Sequence, residues 1–252
     1  MKVELLYPEV CNLYGELFNI EYLRRSVPEC GVASTSLGET PRFLTDNTID
    51  LVYMGTMTER SQLIVVEELN NYREGIWRAI ERGQRFLITG NALEIFGIGI
   101  DERSDMMVSE IGGEGIDCLG LFDFTVERDM LHRKNSLFLG EYMINEKEAI
   151  EIVGYQSQFT HAIYGPQAPE PLFRVVRGPS FGNGYMREGL HYKNFMATYT
   201  IGPLLVLNPA FLVRLCWEMG VKGIAPPHME AAMDAYKKRL SEYSDPDRGF
   251  EY

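Results

Sequence analysis

The residues best placed to do chemistry in this chain lie in two turns, MGTMTER at 54–60 and ITGNALEIFG at 88–97. The second passes from the short apolar run FLI straight into a helical pattern. In α/β hydrolytic enzymes such a turn exposes a serine, cysteine or threonine nucleophile against backbone N–H donors. Here the tip is Gly90, flanked by Thr89 and Asn91. Cys11, Cys30, Cys118 and Cys216 are far apart and form no C-x-x-C pair, which argues against a zinc site or a disulfide framework and leaves open whether one is a nucleophile. His132, His161, His191 and His228 show no ligand spacing with a carboxylate, so neither a metal nor a cofactor is expected. The glycine-rich GPSFGNGYMREG at 178–189 lacks the G-K-[ST] ending of a phosphate-binding loop and opens no helix, so it reads as irregular loop.

The elements that must carry these turns alternate in the first half. Residues 2–7 suit a strand, 16–29 a helix ended by Pro28 and Gly31, and VASTSL and DLVYMG two further strands. Val65, Leu69, Tyr72, Ile76 and Ile80 then recur at helical spacing and predict one long helix up to Gly83. The FLI run at 86–88 reads as a central strand covered on both faces, so the pattern predicts a doubly wound parallel sheet. After residue 100, LGLFDFTVE, SLFLGEYMI and EIVGYQ suit antiparallel or mixed strands, and the segments around IYGPQAPEPLF and RGPSFGNGYMREG suit loops. Asn208 and Pro209 predict the capped start of a helix ending before Gly220. A last helix places Met229, Met233, Tyr236 and Leu240 on one stripe, and residues 244–252 read as a loose tail.

The 252 residues, 45% hydrophobic, suit a single α/β domain. The excess of 36 acidic over 24 basic residues argues against nucleic acid or an anionic lipid surface, both of which need a basic patch. No apolar run is long enough to span a bilayer and the start lacks the form of a signal peptide, so a cytoplasmic location is expected.

Several segments carry a family resemblance: LYPEVCNLYGELFNIEYLRR, the glycine turn after DLVYMG, the elbow FLITGNALEIFG, and VVRG followed by EGLHYKNFMATYTIGPLLVLNP. In this order and spacing the chain resembles class I glutamine amidotransferase domains of the cobyric acid synthase type. Within that group it is similar to the glutaminase subunit of lipid II isoglutaminyl synthase. The resemblance covers roughly residues 4–213 and implies a flavodoxin-like fold that releases ammonia through a cysteine thioester with a histidine base. It also implies a Mur-ligase-like partner that activates a carboxylate with ATP and receives the ammonia.

Carried over residue by residue, the resemblance puts Gly90 at the nucleophile and Ile201 at the base. The three-glycine oxyanion turn keeps Gly55 but has Thr56 and Met57, Glu94 stands for the elbow glutamine, and a glutamate-asparagine-histidine stretch becomes Gln156, Ser157 and Gln158. A glycine forms no thioester and an isoleucine transfers no proton. The expectation is therefore a domain inactive as a glutaminase, acting as partner or regulatory subunit of an amide-forming ligase. Two alternatives stand beside it. One is a sensor binding a small polar ligand in a vacant pocket formed by Gly55, Thr56, Gly90, Asn91, Glu94 and Gln158. The other is an active amidotransferase in which Cys11, Thr89 or another residue serves as nucleophile, although Cys11 also reads as a structural thiol and Cys118 and Cys216 as core.

Overall fold

A computed structural model describes residues 1–102, 115–182 and 186–251. Its centre is a six-stranded sheet built from β1 (Lys2–Leu6), β2 (Gly31–Thr35), β3 (Leu51–Met54), β4 (Phe86–Thr89), β13 (Leu190–Tyr192) and β14 (Phe195–Thr198). The order is β13-β14-β4-β3-β1-β2, and only the β13–β14 pair is antiparallel. β3 and β4 are buried at every residue, as their unbroken apolar runs predict.

Successive strand residues point to opposite faces, and the two faces bury different helices. Val52, Met54, Phe86 and Ile88 pack with Val65 and Leu69 of α2 (Glu59–Asn70) and Ile76 and Ile80 of α3 (Arg73–Glu81). Leu51, Tyr53 and Leu87 face Ile20 and Leu23 of α1 (Phe18–Ser26), Leu204 of α4 (Leu204–Leu207) and Phe211 and Leu215 of α5 (Pro209–Glu218). The predicted doubly wound sheet is therefore present. The single helix expected over 65–80 is two, broken at Asn71 and Tyr72, where Tyr72 donates to Leu69 O at 2.9 Å. The Asn70-Asn71 pair explains the break, because short amide side chains compete for helical backbone bonds.

Two four-stranded sheets carry the second half. One has the order β10-β7-β5-β6, from β5 (Gly99–Asp101), β6 (Ile116–Asp117), β7 (Phe124–Arg128) and β10 (Thr160–Tyr164). The other has the order β12-β11-β8-β9, from β8 (Lys134–Met143), β9 (Ala149–Gln158), β11 (Phe173–Arg177) and β12 (Arg187–Glu188). The sequence finds β7, β8 and β9, but the segments it reads as loop take in the end of β10, both ends of β11 and all of β12. Those strands are short and flanked by glycine and proline, and only their distant partners reveal them.

Near the C-terminus, Asn208 is the N-cap residue of α5 and Pro209 follows it, as expected, but the Asn208 side chain makes no capping bond to the helix. Its buried amide accepts from Val153 N at 2.8 Å and donates to Val153 O at 2.9 Å, fastening the chain to β9. The helix α6 (Met229–Ser244) lays Tyr236 on Leu139 and Val153. Beyond it, the residues expected to be loose are tied to Arg177, whose guanidinium donates to the carbonyls of Tyr243, Asp245 and Arg248 at 2.9, 2.5 and 2.8 Å. Among the described residues no helix is long and apolar enough to cross a membrane.

Glu188 is 1% exposed and accepts from Thr198 Oγ1 and Tyr199 N, both at 2.7 Å. Burial pushes its carboxyl up to about 7. The unfolded chain loses this proton in the ordinary glutamate range, near pH 4.5, while the folded chain keeps it until about pH 7. Between those values the unfolded state binds fewer protons, so Glu188 makes stability fall as pH rises. Urea unfolding of wild type and Glu188→Gln from pH 4.5 to 7.5 is expected to show this component only in wild type; parallel curves would refute the assignment.

Candidate functional site

The elbow forms where β4 ends. Thr89 is extended, and Gly90 turns back with φ +64°, a left-handed conformation in which a side chain is strained. Short 3-10 turns over Gly90–Phe96 follow in place of the expected helix start. Facing the elbow is the turn after β3. Asn91 clasps the two turns together, its Oδ1 accepting from Met57 N at 3.0 Å and its Nδ2 donating to Met57 O at 2.9 Å. Leu13 N donates to Thr56 O at 3.0 Å and adds the loop after β1.

This closure places Thr56, 4% exposed, directly over Gly90. A Cβ built on Gly90 would coincide with Thr56 Oγ1 and lie 2.7 Å from Thr56 Cβ. The space that the missing side chain was expected to leave is filled. Gly55 is closed on its own side, where a Cβ would meet Cys11 O at 3.0 Å and Glu16 Cβ at 3.2 Å.

Of the six residues expected to form a pocket, Thr56, Asn91, Glu94 and Gln158 line one cavity, while Gly55 and Gly90 are not among its walls. Its volume is about 50 Å³. Small-molecule sites begin at roughly 300 Å³, whereas a water occupies roughly 30 Å³, so the cavity suits one or two waters rather than an amino acid. Arg133 is part of the wall, its guanidinium 5.8 Å from the Tyr14 ring, 5.0 Å from the Phe159 ring, and donating to Tyr14 Oη.

The floor is a buried polar cluster. Glu94 accepts from Thr160 Oγ1 at 2.5 Å, Gln62 Nε2 at 2.8 Å and Tyr199 Oη at 3.0 Å, with Arg128 Nη2 at 3.5 Å. Burial raises the Glu94 pKa; Arg128 opposes this most, followed by hydrogen bonds from Thr160, Gln62 and Tyr199. Arg128 also bonds Gln62 Oε1 and reaches Glu102 Oε1 at 2.8 Å. A second cluster lies behind the elbow. Thr89 Oγ1 is 2.9 Å from Tyr53 Oη, and Glu16 accepts from Gly202 N at 2.9 Å and Asn19 Nδ2 at 3.2 Å. Burial dominates the raised pKa of Glu16 as well.

The remaining candidates sit apart from the cavity. Ile201 is 2% exposed and pairs with Tyr155, donating at 2.9 Å and accepting at 3.2 Å. Thr89 is buried in the cluster behind the elbow. Cys11 is also buried, 4.0 Å from Met57 Sδ, and burial with nearby Glu9 pushes its thiol far above neutrality. Such a thiol is not a thiolate at neutral pH. Cys118 and Cys216 are buried, the first just past β6 rather than on a strand. Gln156 bonds Thr200 Oγ1 and Ser157 bonds Asn135 Oδ1. His161 and His191 are partly buried and His132 and His228 exposed, and no cluster of metal-ligating side chains occurs among the described residues.

Sequence reasoning missed Glu16, Gln62, Arg128, Arg133 and Tyr14. A signal existed for Arg128, which falls in phase with the buried Phe124 and Val126 on β7 and so points inward.

The mostly parallel sheet, with helices on both faces and an elbow at the end of β4, is the flavodoxin-like fold of class I glutamine amidotransferases. The model superposes on PurLQS from Thermotoga maritima with a TM-score of 0.55 at 10% identity, covering 95% of this chain and 98% of that one. A solved glutamine amidotransferase gives 0.51 at 12% identity, covering 86% of this chain and 99% of that one. In sequence, the chain is a homologue of the glutamine-hydrolysing subunit GatD of lipid II isoglutaminyl synthase. It is 25% identical to the Staphylococcus aureus subunit over 218 residues, covering 83% of this chain and 82% of that protein. It is 24% identical to the Streptococcus pneumoniae subunit over 252 residues, covering 97% and 91%. No protein-family model matches the chain.

If Thr56 fills the Gly90 side-chain volume, Gly90→Ala costs about 2–4 kcal/mol from overpacking and left-handed strain. Adding Thr56→Gly recovers at least about 1 kcal/mol of that in a double-mutant cycle read by urea unfolding. Additive effects would show that the two residues do not compete for one space.

Proposed function

We propose that this chain is a glutamine amidotransferase-fold subunit that does not hydrolyse glutamine and acts beside a Mur-ligase-like or other amide-forming synthetase. The observation that carries the reading is the Thr56 side chain lying where a nucleophile on Gly90 would begin. Two others support it. The Met57 N–H, which an oxyanion turn would aim at substrate, is already donated to Asn91 Oδ1. The cavity beside Glu94 is also smaller than an amino acid. The relatives named as subunits of lipid II isoglutaminyl synthase support a partner that amidates a carboxylate in cytoplasmic peptidoglycan-precursor chemistry.

Incubated with glutamine, alone or with synthetase candidates encoded beside it, the purified protein is expected to release no ammonia above the buffer rate. Turnover by the isolated chain that survives Cys11→Ala would overturn the proposal. The correspondence of Gly90 and Ile201 with nucleophile and base is tested by the triple variant Thr56→Gly, Gly90→Cys, Ile201→His. Its new thiol is expected to react with iodoacetamide at neutral pH faster than the native cysteines. An inert thiol in the folded triple variant would reject that correspondence.

A further inference from the structure

The side of β8 that faces away from β9 changes partner along its length. β11 pairs there with Leu139, Gly140 and Glu141 and ends at Arg177. Gly178, with φ +110°, then turns the chain out of the row; a Cβ on it would lie 2.6 Å from Leu137 O. The next places along β8 are taken by a segment from beyond α6. Ser136 forms an antiparallel bridge with Glu251, and Leu137 N donates to Phe250 O at 2.8 Å.

Arg177, at the junction of the two, holds the segment from the other side. Its guanidinium donates to the carbonyls of Tyr243, Asp245 and Arg248 and lies 4.1 Å from the centre of the Phe250 ring. The bonds from Arg177 and Leu137 all go to main-chain carbonyls, which any extended chain offers. The Phe250 ring is the side chain the slot grips, between Arg177 and the Tyr243 ring, whose centre is 5.7 Å away. Glu251 comes next and shares a groove wall with the exposed Arg133 and Lys134. No residue of 245–251 is buried, and Phe250 alone is half-buried. A segment held by so few buried contacts opens locally, at a fraction of the cost of global unfolding.

We infer that this edge of β8 is a peptide-binding slot, filled in cis by residues 245–251 and open in trans to an extended segment of a partner protein in which an aromatic residue precedes an acid. A strand added to a sheet edge gains affinity from main-chain bonds and selectivity from its side chains. Here Leu137 N and the Arg177 fork supply the main-chain bonds, and the face of the same guanidinium selects the aromatic ring. The cis segment is tethered at the end of α6, so it competes at a high effective concentration and a partner must displace it. None of these contacts involves the elbow, so the slot stands or falls apart from the reading of Gly90.

The probe is a fluorescein-labelled peptide of residues 245–251, added to the whole chain and to its Phe250→Ala variant, in which the cis segment is present but weakly held. Fluorescence anisotropy is expected to show the variant binding the peptide about tenfold more tightly than wild type. A second peptide, keeping only the final Phe-Glu pair on a glycine-serine background, is expected to bind the variant as well, and its Phe-to-Ala form to bind neither protein. Hydrogen exchange at the Leu137 amide, read by NMR, is expected to quicken in the variant and slow again when peptide is added. A tail that only braces the fold would give no such recovery. Absence of binding to the variant, equal binding to both proteins, binding indifferent to the aromatic residue, or Leu137 exchange unmoved by peptide would each overturn the inference.

Discussion

A single side-chain volume governs the elbow, and Thr56 takes it. Because Gly90 has no Cβ, the turn after β3 can close down on the turn after β4 until the Thr56 hydroxyl stands where the Gly90 side chain would begin. Everything around the elbow follows from that approach. It lets the Asn91 amide bridge both turns through Met57, and it leaves a cavity of about 50 Å³ above Glu94. The positive φ of Gly90 is the conformation a nucleophile elbow imposes at a cost in strain, and glycine adopts it without that cost.

Two buried carboxylates hold the elbow from either side. Glu94 gathers β10, α2, β7 and the segment after β14 through Thr160, Gln62, Arg128 and Tyr199. Glu16 gathers α1, β3 and the turn at Gly202. A buried charge is tolerable only where its partners converge, and removal of one partner leaves the desolvation cost unmatched. Each carboxylate therefore specifies where several separate parts of the chain must meet, and it does so whether or not the elbow carries a nucleophile. This gives a physical reason for a persistent framework around Gly90.

The legible parts of the fold were those with local periodicity. The unbroken apolar runs of β3 and β4 and the spaced aliphatics of α2 and α3 announce a covered parallel sheet. The elbow is legible too, because Thr89, Gly90 and Asn91 follow one of those runs directly. What stayed hidden depends on partners distant in sequence. Asn208 looks like a helix cap from its neighbours, yet its amide is committed to Val153, 55 residues away. Arg177 looks like the start of a loop, and it ties down carbonyls more than 60 residues later. The closed state of the pocket was hidden for the same reason. Residue types suggest a vacancy at Gly90, but only the approach of two turns reveals that Thr56 fills it.

That filling bears on what a side chain at position 90 would require of its neighbours. In the resemblance, nucleophile, oxyanion turn and base come from the end of β4, the turn after β3 and the segment after β14. Here each of the three positions is committed to packing of its own: Gly90 beneath Thr56, Met57 N to Asn91, and Ile201 to Tyr155. A cysteine at 90 alone meets the Thr56 hydroxyl, and a glycine at 56 alone opens a void. Each of these single changes lowers stability, and proteins carry only about 5–15 kcal/mol in total. The three changes have to come together, because each of the three positions is held by a packing partner of its own.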